Sequence, residues 1–213
     1  MSSSYFILCA RKVLVLGLLA VYPLIGMTLD FNKRDPLAKA FLAGDLKAVK
    51  NILESKNAAV VANYPPEIIP DALDIAISAG HLNILGYLKS RGWLDKCKKM
   101  PDCTPVHSAA TYGKVEVIKS LVSEGFDINV IAFESQSSAL HVAAEFGYLG
   151  TVRVLCEQGL DGNLKNRYGQ TPLEAAKDAN KRGVYVEPRE KARTRANLAK
   201  VIEYLESGQC KKK

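Results

Sequence analysis

Histidine is scarce in this sequence, which has three histidines, one tryptophan and five cysteines in 213 residues. Nucleophilic catalysis needs a nucleophile, a base and usually a third group that orients the base. A structural pattern described below accounts for all three histidines, so none is left to act as that base. The carboxylates are scattered over helix positions without a convergent pair, and a phosphate-binding glycine loop is missing. These absences predict a protein that is not an enzyme and needs no cofactor or metal.

Charge is also limited. Charged residues make up 24% of the chain and hydrophobic residues 48%, a composition typical of globular proteins, and the formal net charge is +7. A modest positive charge favours acidic partners or anionic surfaces. Because no DNA- or RNA-reading motif accompanies it, nucleic acid is not an expected partner.

One apolar run lies near the N-terminus. Val13 to Leu29 contains no charged residue and follows the basic pair Arg11–Lys12, which is the pattern of a secretory signal peptide. We expect cleavage near Gly26–Thr28, so that residues 1–27 are removed and the protein is exported, either periplasmic or secreted. Two alternatives stay open. The run is an uncleaved membrane anchor, although it falls short of the ~20 apolar residues of a typical spanning helix, or it is a capping helix in the cytosol.

The rest of the chain is organised by a repeat. Short similar blocks begin with Thr, Ser or Asp, and the last four start 33 or 34 residues apart: DPLAKAF (Asp35–Phe41), DALDIAI (Asp71–Ile77), TPVHSAA (Thr104–Ala110), SALHVAA (Ser138–Ala144) and TPLEAA (Thr171–Ala176). Each of the first four is followed by a glycine and a second apolar pattern, such as GYLGTVRVLCEQG from Gly147. A fixed period of this kind indicates stacked repeats.

These blocks resemble the ankyrin-repeat family, whose signature is T-P-L-H-x-A-A, a G-H loop, a second helix and a closing G-A-D finger. The resemblance implies an all-α fold, a solenoid of about five helix-turn-helix repeats joined by β-hairpin fingers, over residues 32–208. Residues 209–213 then form a basic tail. Together with the export signal, the resemblance suggests a bacterial exported or periplasmic member of the family.

The pattern has a direct physical reading. In the second helix of the fourth copy, Leu149, Val152 and Leu155 recur at helical spacing and form an apolar stripe. Thr171–Pro172 predicts a helix start, with the hydroxyl as N-cap and proline in the first turn. One such unit cannot bury its apolar face alone, so neighbouring repeats supply each other's core.

The histidines fit the same pattern. His107 and His141 occupy the fourth position of the T-P-L-H block, where the family's histidine ties the helix start to neighbouring backbone, and His81 lies in the G-H loop. We therefore predict a structural role for all three.

The cysteines leave alternatives open. Cys97 and Cys103 flank a finger that should be a hairpin, because Gly92 to Thr104 has the same length as Gly159 to Thr171. On opposing strands in an oxidising compartment, they are candidates for a disulfide. Other hypotheses for this pair are a zinc site with His107, which lacks a fourth ligand, and a thiol-dependent enzyme. Cys156 lies on an apolar stripe and reads as a buried small hydrophobe, while Cys210 in the polar tail has no assigned role.

Binding is expected on the concave face, as the resemblance implies, through the finger tips and the ends of the first helices. The partner-binding candidates are positions left free by the repeat pattern: Lys98, Lys99, Met100, Tyr112, Phe133, Glu145, Phe146, Arg167 and Tyr168. Aromatic residues beside arginine are typical of binding hot spots.

Two alternatives accompany this hypothesis. Tyr112 and Phe146 would instead pack between neighbouring repeats, and the basic insertion Lys181–Arg193 would bind an acidic partner or simply cap the last repeat. The favoured function is a non-catalytic, exported, monomeric module that binds a protein. The alternative is a membrane-tethered scaffold, with the membrane contacted only through the N-terminal segment.

Overall fold

The computed structural model describes residues 35–55, 69–100, 103–132, 135–183 and 191–210. The apolar run Val13–Leu29 lies outside these residues. The chain divides into two compact units, Met1–Pro105 and Val106–Lys213, and each is described by itself.

The described residues form helix pairs, as the repeat predicts. The first unit contains the pairs α1 (Pro36–Ala43) with α2 (Leu46–Leu53) and α3 (Ile69–Ala79) with α4 (Leu82–Ser90), then the short α5 (Trp93–Cys97). The second contains α6 (Pro105–Thr111, which begins at the boundary) with α7 (Val115–Ser123), α8 (Ala139–Glu145) with α9 (Leu149–Glu157), and α10 (Pro172–Arg182) with α11 (Lys191–Glu206). The all-α prediction is confirmed: in the described part of the chain, β pairing is limited to one isolated antiparallel bridge, Ile131 with Ser138.

The helix starts follow the predicted cap chemistry. Thr171 caps α10 in a capping box, because its hydroxyl accepts the Glu174 N–H while the Glu174 carboxylate accepts the Thr171 N–H at 2.7 Å. These hydrogen bonds from Thr171 lower the pKa of Glu174. Asp35 caps α1, accepting the Leu37 and Ala38 N–H groups ahead of a proline in the first turn. The predicted N-cap at Thr171–Pro172 is confirmed.

Glycines between paired helices make room for the next repeat. Gly113 has φ +63, and a Cβ there would lie 2.6 Å from Cδ1 of Tyr148. Gly44 has φ +72 and would meet the His81 ring in the same way, at 2.8 Å. Both positions need glycine because the left-handed backbone and the ring above it exclude a side chain.

The core of the second unit contains most of the predicted stripe. Val152 and Leu155 are completely buried, as is Leu140, while Leu149 is half-buried. Leu198 and Val201 of α11 are buried as well, and α11 packs against α8, α9 and α10. The interrupted last copy therefore completes its helix pair.

The finger between the second and third copies differs from its prediction. Instead of a hairpin it holds the helix α5, which packs on α3 and α4 and buries Trp93, Leu94 and Cys97. The i, i+1, i+4 spacing of these three residues places them on one helical face, and burial of that face outweighs hairpin pairing. Cys97 and Cys103 form a disulfide with Cα atoms 5.4 Å apart, but it joins a helix to a loop. The expectation of opposing strands is wrong.

The interpretation of Cys156 as a buried small hydrophobe is also wrong, because Cys156 is half-buried and disulfide-bonded. Cys156 on α9 forms a disulfide with Cys210, with Cα atoms 4.9 Å apart. Cys210, which the sequence placed in a basic tail, is 5% exposed. The return of the chain after α11 brings these cysteines together across 54 positions.

Among the described helices, none is both long and apolar enough to span a membrane.

Candidate functional site

Two buried histidines tie the fingers of the second unit to the helix starts. Nε2 of His107 lies 2.9 Å from the Ser137 carbonyl oxygen, and Nε2 of His141 lies 3.0 Å from that of Gln170. Ser138 N–H points at Nδ1 of His141 from 3.2 Å, so Nδ1 must accept and Nε2–H must donate. The predicted structural role of these histidines is confirmed.

Both rings are held neutral. Burial lowers the pKa of His107, outweighing the Ser137 hydrogen bond that raises it. Burial likewise lowers the pKa of His141. A neutral ring donates from one nitrogen, which suits a hydrogen bond to a backbone carbonyl oxygen, and the lowered pKa makes each ring a weaker base than an exposed histidine.

The finger from Gly159 to Thr171, called here the fourth finger, presents an arginine and a tyrosine. Oδ1 of the buried Asn166 accepts the Tyr168 N–H at 3.0 Å and the Gln170 N–H at 3.1 Å, which shapes the tip as a tight turn. On this turn Arg167 is exposed, Tyr168 is 40% exposed, and the guanidinium lies 6.0 Å from the centre of the tyrosine ring.

The preceding finger is joined to this tip. The Arg167 N–H donates to the Ser135 carbonyl at 3.0 Å. This backbone hydrogen bond joins two finger tips of the second unit.

The ends of the first helices carry the other candidates. Tyr112, Glu145 and Phe146 are all half-buried at the C-terminal ends of α6 and α8. The Phe146 ring lies 6.3 Å from that of Tyr148, centre to centre. Phe146 therefore shares its surface between solvent and a contact within its own repeat, and the alternative of packing between neighbouring repeats stays a prediction.

The other candidates are placed as follows. Phe133 lies outside the described residues. Lys98 and Lys99 are exposed and Met100 is half-buried, and all three belong to the first unit. Within the basic insertion and the helix that follows it, Lys181, Arg193 and Arg195 are exposed.

Sequence reasoning missed three residues near this site. Tyr148 occupies the G-H loop position and covers Gly113, a role that the aromatic residue after a glycine signals. Val130 and Ile131 are 39% and 47% exposed on the finger before Ser138. The sequence offered a signal at Val130, because the equivalent position of the fourth finger, 33 residues later, is the polar Asn163.

In the described ranges, no group of three or more His, Cys, Asp or Glu residues is arranged to hold a metal ion. What the second unit offers is a set of aromatic, cationic and carboxylate groups on a hydrogen-bonded turn and at helix ends, which suits recognition of another surface.

Known proteins share this repeat pattern. The chain is 31% identical over 109 residues to a transient receptor potential cation channel subfamily A member 1 homolog of Caenorhabditis elegans, covering 51% of this chain and 9% of that protein. It is 30% identical over 100 residues to protein phosphatase 1 regulatory subunit 12A of Mus musculus, covering 47% and 9%.

A third relative is an enzyme, L-asparaginase of Dirofilaria immitis, at 36% identity over 68 residues. That match covers 32% of this chain and 11% of the enzyme. The chain thus spans about a tenth of the length of these three relatives, and their activities do not transfer with the match.

The family model for ankyrin repeats matches three times, over residues 39–132, 73–166 and 107–184. Together these matches cover about two thirds of the sequence. With paired helices, glycine turns and histidine ties at the same period, the chain belongs to the ankyrin-repeat family, whose members are generally non-catalytic and serve as protein–protein interaction modules.

Proposed function

We propose that this chain is an exported module that binds a protein partner through one face of its second unit. This face, called here the finger face, consists of Tyr112, Glu145, Phe146, Arg167 and Tyr168. The observation that carries the proposal is the exposed Arg167–Tyr168 pair on a backbone-fixed turn. Arginine and tyrosine are among the residues most enriched at interface hot spots, and a fixed backbone reduces the entropy lost on binding.

Site-specific photocross-linking tests the finger face. A benzophenone amino acid replaces Tyr168 in one variant and Phe146 in another, and Lys119 in a control, since Lys119 is exposed on α7, a second helix. The protein cross-linked at positions 168 and 146 should be the same, should be absent at 119, and should be displaced by excess unmodified chain. Equal labelling at all three positions contradicts the finger face.

The disulfides support export. After residue 27 the sequence contains four cysteines, and all four are paired in the structure. Disulfides persist in oxidising compartments and are rare where glutathione keeps thiols reduced. The paired cysteines and the N-terminal pattern, a basic pair followed by an apolar run, both support an exported location.

Export has its own test. N-terminal sequencing of the native protein should find a start near residues 26–28, and alkylation without reductant should leave Cys97, Cys103, Cys156 and Cys210 unmodified. A membrane-tethered form would start at Met1 and sediment with membranes, still with blocked thiols. A native protein that starts at Met1 and has four reactive thiols refutes export. A bacterial origin stays a prediction.

A second candidate is binding by charge through the basic region that includes Arg193 and Arg195, both exposed. Salt separates the two proposals, because attraction between exposed charges weakens steeply with ionic strength while aromatic contacts change little. The thiol-enzyme alternative is less favoured, because Cys97 is fully buried and disulfide-bonded to Cys103.

A further inference from the structure

The C-terminal segment returns to the base of the fourth finger. Cys210 is bonded to Cys156 and is 5% exposed. Its carbonyl oxygen accepts the Gly162 N–H at 3.2 Å, and its sulfur lies 3.6 Å from the Leu160 carbonyl oxygen. The start of the fourth finger therefore contacts the segment that follows α11.

Gly162 allows this approach because it has no side chain. A Cβ at this position would lie 2.6 Å from the carbonyl oxygen and 3.3 Å from Cβ of Cys210. Real Cβ atoms essentially never approach another atom to 2.6 Å. The contact between finger and tail is thus backbone against backbone.

The fourth finger is attached at both ends. At its far end, the Gln170 carbonyl is hydrogen-bonded to His141, the Gln170 side-chain amide donates to Asp178, and the Arg167 N–H donates to Ser135. At its near end, Leu160 is 1% exposed and is followed directly by the segment that contacts Cys210. The disulfide is the covalent link that keeps the tail at this near end.

We propose that the Cys156–Cys210 disulfide positions the fourth finger, so that only the oxidised chain presents Arg167 and Tyr168 in a fixed geometry. The consequence for partner binding rests on the proposed function, whereas the effect on the finger does not. Reduction by a dithiol such as dithiothreitol breaks the S–S bond and forms two S–H bonds, while the reductant becomes a disulfide. Two electrons and two protons are transferred.

The other disulfide provides a matched control. Cys97 and Cys103 are six positions apart in the first unit. Exposed trypsin sites lie beside each disulfide: Lys98 and Lys99 beside the first, and Lys165 and Arg167 in the fourth finger.

Limited trypsin digestion of the full chain, read by mass spectrometry, tests the proposal without a partner. The variant Cys156→Ser/Cys210→Ser should raise the rate of cleavage after Lys165 and Arg167 by about tenfold, because local opening admits the protease. Cleavage after Lys98 and Lys99 should not change. The variant Cys97→Ser/Cys103→Ser should give the opposite pattern. Unchanged cleavage after Lys165 and Arg167 in a folded double variant overturns the proposal.

Circular dichroism checks the fold of the double variant, because an unfolded variant shows a loss of helix. If the double variant is unfolded, the variant Gly162→Ala tests the proposal instead, because it keeps the disulfide while its Cβ displaces Cys210. A rise in cleavage after Lys165 and Arg167, with Lys98 and Lys99 unchanged, supports positioning by the tail, and no rise overturns it. Since digestion needs no partner, this result is independent of the cross-linking test of the finger face.

Discussion

Replacing Gly113 by alanine should destabilise the second unit strongly. Two effects add. The left-handed backbone at φ +63 costs a residue with a Cβ about 1–2 kcal/mol. The new Cβ would also lie 2.6 Å from Tyr148, and relief of such overpacking typically costs about 1–3 kcal/mol. We expect Gly113→Ala to lower the free energy of unfolding by about 2–5 kcal/mol, measured by urea melts.

Two other glycines separate these effects. Gly159 has φ +91 with nothing within 4 Å of an added Cβ, so Gly159→Ala should show only the backbone cost, about 1–2 kcal/mol. Gly86 lies inside α4 with open space around it, so Gly86→Ala should stabilise the protein by about 0.5–1 kcal/mol. If Gly113→Ala is no more destabilising than Gly159→Ala, the packing of Tyr148 on the glycine turn is refuted.

A double-mutant cycle with Tyr148 sharpens the result. If the ring is the obstacle, the cost of Gly113→Ala should fall towards that of Gly159→Ala when it is measured in a Tyr148→Ala background. An unchanged cost would assign the whole effect to the backbone.

Other predictions concern the core and its titration. Leu155→Ala should lower the free energy of unfolding by about 2–5 kcal/mol, because Leu155 is fully buried. Lys99→Ala, at an exposed position, should change it by no more than about 0.5 kcal/mol. Equal effects of the two variants in urea melts would contradict the core assignment. The free energy of unfolding should fall as pH drops below about 6.5, because burial lowers the pKa of His107 and His141 in the fold while the unfolded chain binds protons at the ordinary pKa. Each histidine contributes up to about 1.4 kcal/mol per pH unit. Equal urea midpoints at pH 7.5 and pH 5.0 would contradict this. Thr151→Val should stabilise the protein by about 1 kcal/mol, because the buried Thr151 hydroxyl has no hydrogen-bond partner in the described structure; a lower melting temperature would argue against it.

Much of the fold was predictable because its signals are local. A threonine or aspartate before a proline indicates a helix start from hydroxyl or carboxylate capping alone, as at Thr171 and Asp35. The spacing of Val152 and Leu155 places them on one helical face whatever surrounds it. Repetition at one period then predicted that these helices pair and stack, and the structure has the pairs where the blocks lie.

The candidate site was predictable only as positions. The repeat pattern placed Arg167 and Tyr168 at a finger tip, at positions that the family signature does not specify, and both are exposed. It did not indicate that Arg167 lies over its neighbour, or that its backbone N–H joins two fingers, because these depend on turn geometry and on contacts between repeats.

By itself, then, the sequence determined the helix pairs, the glycine turns, the caps and the buried histidines, since each depends on residues within one repeat or on the period. Only the tertiary structure decided the helix α5 and the disulfide partner of Cys156. Four cysteines allow three pairings, and a disulfide forms only where the two Cα atoms approach within about 7 Å. Cys156 and Cys210 meet that condition because α11 packs back on α8 and α9 and carries the tail with it, across 54 positions that no local pattern connects.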